Sequence, residues 1–194
     1  MKQSPKMPAE KRKAQLLKAA EKVISKKGYA KASVESIARE ANLTKGALYF
    51  HFKSKEDVFF ELIKYRNQQS RNVFMELLSD DIPIADAVAN MIKAAFRLIE
   101  GKEYFNLDLW QKAHKVKRIR NYLEQEHREM REEIVEFVKK RSHLSQRECE
   151  WLHDLIHTFI EGLVVQIQGL RYRPNLQTLE KNLLDLKDMY LRRA

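Results

Sequence analysis

Between residues 33 and 55 the chain sets hydroxyl, phenol, imidazole and ammonium groups at short intervals: Ser33, Thr44, Lys45, Tyr49, His51 and Lys55. Each can donate a hydrogen bond, and the lysines add fixed positive charge. Such a set suits an anionic, oxygen-rich partner. On nucleic acid, groups of these types hold phosphates, while a few side chains reach base edges.

A second set recurs in steps of four: Cys149, His153, His157 and Glu161. Two histidines at i and i+4 are a metal-ligating spacing, and a zinc peptidase would need Glu after the first of them. Here that position is Asp154. On a helix turning about 100° per residue, steps of four drift by about 40°. The four residues therefore slide off the apolar stripe of Leu152, Ile156, Phe159 and Leu163, and all four cannot serve one ion. Their expected use is a polar border to an interface or pocket, with no metal and no cofactor. The chain has no Gly-x-Gly-x-x-Gly, no phosphate loop, no Ser elbow and no Cys–His arrangement that supports nucleophilic catalysis. No catalytic residue is assigned, and enzyme activity is not expected.

The elements that must position the first set are legible. Leu16, Leu17, Ala20, Val23 and Ile24 recur at helical spacing over about 10–27, and Gly28 is a natural stop. Ser33 is a natural N-cap for a short helix over about 34–41, and Thr44 for another over about 45–51. Asn42 stands between them, where a left-handed backbone is expected. Two short helices joined this way form a helix-turn-helix. Leu48 and Phe52 anchor its second helix from inside, which leaves Lys45, Gly46, Ala47, Tyr49 and His51 outside.

Composition narrows the classes further. The 194 residues carry 37 Lys plus Arg against 27 Asp plus Glu, a net charge of +10. Residues 1–60 hold 14 basic and 6 acidic side chains, so most of the excess lies in the first third. A basic module followed by a nearly neutral one points to a polyanion partner for the first. With 44% hydrophobic residues the chain can bury a core, and with only 5 Gly and 4 Pro it reads as helical. One cysteine excludes an internal disulfide framework. No apolar run approaches the roughly 20 residues of a membrane span, and Met1 to Pro8 lacks an apolar signal region. The expected location is the cytoplasm, without membrane partners.

Leu17-(x2)-Ala20, Gly28-Tyr29, Ser33-Val34-(x2)-Ile37-Ala38 and, above all, Leu48-Tyr49-Phe50-His51-Phe52-Lys53-Ser54-Lys55 resemble the DNA-binding region of the TetR family of bacterial transcription regulators. The resemblance covers about residues 11–60. Asn42 departs from the usual Gly, but keeps the same turn geometry. The resemblance implies an all-α fold of about nine helices, with a DNA-binding domain at 1–55 and an effector and dimerisation domain at 56–194. It further implies a homodimeric regulator, most simply a repressor, released from a palindromic double-stranded DNA operator by a small-molecule effector of unknown identity. On its pattern Lys45, Ala47 and Tyr49 face the major groove, with Gly46 beside them, and Ser33, Thr44, Tyr49, His51 and Lys55 meet phosphates. Lys11, Arg12 and Lys13 form an N-terminal arm towards DNA, with Lys2 and Lys6 beyond it. The competing reading is a basic helical protein that binds nucleic acid by charge without sequence preference.

Beyond residue 60 the sequence predicts further helices: to about Leu78, from Pro83 to Gly101, over 103–113, over 116–141, over 146–170 and after Pro174-Asn175. The helix over 116–141 is dense in charge, but Ile119, Leu123, Met130, Ile134 and Phe137 keep one apolar seam along it. Phe96, Phe105, Trp110, Tyr122 and Phe159 are candidate effector-pocket walls. Leu176, Leu179, Leu183 and Leu186 alternate in steps of three and four, a heptad seam expected at the dimer interface.

Overall fold

The computed structural model describes residues 8–77, 81–99, 111–170 and 174–191. It is all-α: α1 (Ala9–Lys31), α2 (Val34–Glu40), α3 (Lys45–His51), α4 (Lys55–Leu77), α5 (Ile84–Ile99), α6 (Lys117–Arg141), α7 (Gln146–Gly169) and α8 (Leu176–Leu191). Residues 111–115 are also helical; the rest of the helix expected at 103–113, including Phe105 and Trp110, lies outside the described residues. Among the described residues no helix is long and apolar enough to cross a membrane.

Two compact units divide the chain, Met1–Asn67 and Gln68–Ala194, so the division falls within α4. The first turns of α4 belong with the first unit for a simple reason. Val58, Phe59, Leu62 and Ile63 are fully buried there, as are Leu16, Ala20 and Ile24 of α1, Ile37 of α2 and Leu48 of α3. Gly28 interrupts α1 with φ 76°, a backbone that suits glycine, and the following turn closes with the Ala32 amide on the Gly28 carbonyl. Ion pairs from Lys13 to Glu61 (2.7 Å) and from Arg66 to Glu21 (3.3 Å) join α1 to α4.

In the second unit α5 packs on α8 and α7, and α6 packs on α7. One core joins Val88, Ile92 and Phe96 of α5, Val135 and Val138 of α6, Cys149, Leu152, Leu163 and Ile167 of α7, and Leu183 and Leu191 of α8. Along the seam expected on α6, Ile134 and Phe137 pack against this core. Ile119 is buried as expected, but Val135 and Val138 take the deep positions while Leu123, Met130, Ile134 and Phe137 are half-buried. The α7 start is fixed by a reciprocal cap, in which Ser145 accepts from the Glu148 amide and Glu148 from that of Ser145. Lys187 is buried, and its ammonium donates to the Ala85 carbonyl of α5 at 3.0 Å.

The heptad seam of α8 closes this same core. Leu183 is buried, and Leu176, Leu179 and Leu186 are half-buried against it. An apolar stripe instead lies open on α7, where Trp151, Leu155 and Val165 are 46%, 37% and 45% exposed. Thr158 and Gly162 continue it at the same alternating spacing, and both are exposed.

Candidate DNA-binding surface

The turn between α2 and α3 is built from local hydrogen bonds that the sequence dictates. Ser33 and Ser36 cap each other: Ser33 Oγ accepts from the Ser36 amide, and Ser36 Oγ from the Ser33 amide, both at 3.0 Å. Asn42 takes φ 54° and is the one non-glycine residue with positive φ among the described residues. That turn lets the Leu43 amide reach back to the Ala38 carbonyl at 2.8 Å. From α1, Gln15 Nε2 donates to the Ala41 carbonyl at 2.8 Å, which ties the end of α2 to the first helix. Thr44 Oγ1 then accepts from the Ala47 amide at 3.1 Å and starts α3.

Leu48 and Phe52 are buried, so α3 is held from inside. Lys45, Gly46 and Tyr49 are exposed, while Ala47 and His51 are half-buried. Phe50, which sequence reasoning left unassigned, is 81% exposed and meets His51 edge-on at 5.1 Å between ring centroids. An apolar ring that exposed has no role in the core; the signal for it was its place between Tyr49 and His51.

Two lysines are engaged within the protein. Lys45 pairs with Glu35 of α2 and stands 5.8 Å from the Tyr49 ring centroid. Hydrogen bonding to Lys45 holds the Glu35 carboxyl below its ordinary range, and the same contact raises Lys45. Lys55 donates to the Ala30 carbonyl at 3.2 Å and sits 4.4 Å over the Tyr29 ring, which in turn packs on Phe59. Lys55 therefore pins the bend after Gly28 to the start of α4. In the N-terminal arm Lys11 is exposed, Arg12 bonds Gln15 at 3.0 Å and Lys13 is taken up by Glu61. Lys2 and Lys6 lie outside the described residues.

Gly46 is exposed within α3, and a Cβ built there would come no closer than 3.8 Å, to Thr44 Oγ1. Glycine inside a helix costs about 1 kcal/mol relative to alanine. No contact among the described residues requires glycine there.

The other candidates are dispersed. Phe96 is a core side chain, and Tyr122 and Phe159 are half-buried. Cys149 is buried, and burial pushes its thiol up, whereas His153 and His157 lie half-buried on α7. The drift expected for steps of four is thus seen. Burial holds His153 below the ordinary imidazole range and, with His127 and His153 nearby, holds His157 down to about 4.

A capped helix-turn-helix with donors along the outer face of its second helix, followed by a helical second unit, defines a DNA-binding protein of the helix-turn-helix class. Residues 16–62 match the model of the bacterial regulatory proteins, tetR family. A fatty acid metabolism regulator protein of Bacillus subtilis is 33% identical over 91 residues, 45% of each chain. The chain spans half or less of the length of the curated relatives it matches first. Over nearly the whole chain the fold matches a transcriptional regulator (TerR/AcrR family) from Aquifex aeolicus, at 26% identity, coverage of 92% and 99%, and TM-score 0.69. It also matches a regulator from Saccharomonospora viridis solved in complex with choline, at 16% identity, coverage of 91% and 95%, and TM-score 0.78. Residues 16–62 thus carry the DNA-binding region of the tetR family of bacterial regulatory proteins, and the fold over nearly the whole chain is that of such a regulator.

Proposed function

We propose that the chain is an effector-responsive repressor that binds a palindromic operator as a homodimer. The observation that carries this reading is the front of α3, where Lys45, Gly46 and Tyr49 stand exposed on a helix whose start and turn are fully capped. Lys45, Ala47 and Tyr49 read bases in the major groove. Lysine meets guanine acceptors, and the alanine methyl meets thymine. Thr44 accepts a helix amide through its oxygen, so its hydroxyl proton is left to donate to a phosphate, while Ser33, whose side chain also bonds Glu35, turns its hydroxyl to a phosphate when DNA arrives. His51 and Lys55 add to the phosphate set, and Lys55 also positions the bend beside it.

Dimerisation uses the open stripe of α7, from Trp151 through Leu155 and Gly162 to Val165, because the α8 leucines are occupied within their own subunit. The second unit holds the effector. Effector binding favours a dimer whose recognition helices no longer meet successive major grooves, and it does so only by binding that state more tightly. Selection of bound DNA from random oligonucleotides is expected to return a palindrome with half-sites about one helical turn apart. Equal retention of every sequence, lost uniformly with salt, would replace this reading with charge-driven binding.

Gly46 supplies a further test. Gly46→Ala should stabilise the first unit by about 0.5–1 kcal/mol, since alanine is the better helix former and the site has room. Operator binding should weaken, because the added methyl keeps the duplex from closing on α3. Thermal melts and operator titrations on the same sample check both; tighter binding by the variant would remove Gly46 from the interface.

A further inference from the structure

The structure brings together three imidazoles that the sequence keeps 26 and 4 residues apart. His127 on α6 lies 4.5 Å from His157 and 6.2 Å from His153 on α7, between ring centroids. His153 and His157 stack at 5.6 Å and 12°. We propose that His127, His153 and His157 bind one first-row transition-metal ion of the Zn2+ type, clamping α6 to α7.

The spacing supports this. With metal–nitrogen bonds of about 2.1 Å, three imidazoles at tetrahedral angles place their ring centroids about 5 Å apart. The three observed separations bracket that value. No three ligand groups among the described residues already close on one point, so binding requires a ring to turn. His127 is exposed and free to do so, whereas the side chain of His153 is only 8% exposed and fixed.

The surroundings of His153 are those of a metal ligand. Its Nδ1 is 3.0 Å from Asp154 Oδ1. That contact keeps the proton on Nδ1 and leaves the Nε2 lone pair for an ion. Asp154 is itself held by a forked pair of bonds from Arg131, at 2.8 and 3.0 Å, with Glu150 on the far side of Arg131 at 3.7 Å. A fourth donor is at hand in Glu161, whose Oε1 lies 4.0 Å from His157 Nε2. Cys149 takes no part, being buried in the core.

The test uses full-length, tag-free protein stripped with a chelator, titrated with Zn2+ and, separately, with Co2+. The expected result is one ion retained per chain, a rise in the melting midpoint, and the visible absorption of four-coordinate Co2+. His127→Ala and His157→Ala should each lower Zn2+ affinity at least tenfold, and Asp154→Asn by about tenfold, since second partners of ligating histidines commonly matter that much. His143→Ala, which alters an exposed histidine in the link between α6 and α7, should leave the affinity unchanged. Circular dichroism checks each variant. If a variant on α7 fails to fold, His127→Ala, on an exposed ring, still decides. Wild-type protein that retains no stoichiometric metal overturns the proposal, as does His127→Ala binding like wild type.

Discussion

Leu155→Glu is expected to give a folded monomer, and Leu183→Glu a chain whose second unit does not fold. Both replace leucine by a carboxylate on a helix of the second unit, and their surroundings decide the outcome. Leu155 is 37% exposed on the open stripe of α7, where a charge in the isolated subunit meets water. In a dimer across that stripe the same charge loses its hydration without gaining a partner. Leu183 is buried in the core that α5, α6, α7 and α8 share. A carboxylate there is stranded in apolar surroundings, and losing the leucine packing alone costs about 2–5 kcal/mol. Stranding the unpaired charge adds several kcal/mol more, and the two together rival a total stability of about 5–15 kcal/mol. Light scattering with circular dichroism separates the outcomes. The Leu155 monomer should also lose operator affinity by about two to four orders of magnitude, because its two half-sites no longer bind as one. A folded dimer from Leu155→Glu would move the interface off this stripe.

Lys45→Ala and Glu35→Gln should move DNA binding in opposite directions. Lys45 at the front of α3 is paired with Glu35, so its charge is partly spent before DNA arrives. Removing Lys45 should cost about tenfold to a hundredfold per half-site on the operator and relax preference at one position of each half-site. Removing only the Glu35 charge frees the ammonium and takes a like charge away from the phosphates. Glu35→Gln should then tighten binding to every sequence and steepen the salt dependence by about one unit per half-site. The operator gains less than random DNA, so the ratio between them falls. Titrations at several salt concentrations, on the operator and on single-base variants, check both. If Lys45→Ala weakens random DNA as much as the operator, Lys45 holds a phosphate and the bases are read by Ala47, Tyr49 or DNA shape. Both side chains are exposed, so neither substitution should alter the melt.

The first unit was legible because its signals are local. Ser33 and Thr44 accept amides within a few residues of themselves, Asn42 takes the left-handed backbone of the turn, and each does in the structure what its type implies. The Ser145-x-x-Glu148 cap is equally local and equally readable, though the α7 start was placed without it. What stayed hidden depends on which helix meets which. A heptad seam shows that α8 needs an apolar partner, but not whether that partner is its own α5 or another subunit. The 3.6-residue period of α6 is served nearly as well by Ile134 and Phe137 as by Val135 and Val138, and packing chose the latter pair for depth. Glu35 read as a helix-start charge; only the approach of α3 shows it to be the partner of Lys45. His127 carried no pattern of its own, and its closeness to His157 is a product of the α6–α7 contact.

The bond from Gln15 to the Ala41 carbonyl reaches beyond its role in the turn. It makes α1, the turn and α3 one cooperative piece, because the turn cannot open without stripping a partner from α1. The amide of Leu43, held on Ala38, should then exchange more slowly than in a Gln15→Ala variant, where the turn opens without that loss. The angle at which α3 is presented is thereby tied to the first helix of the chain.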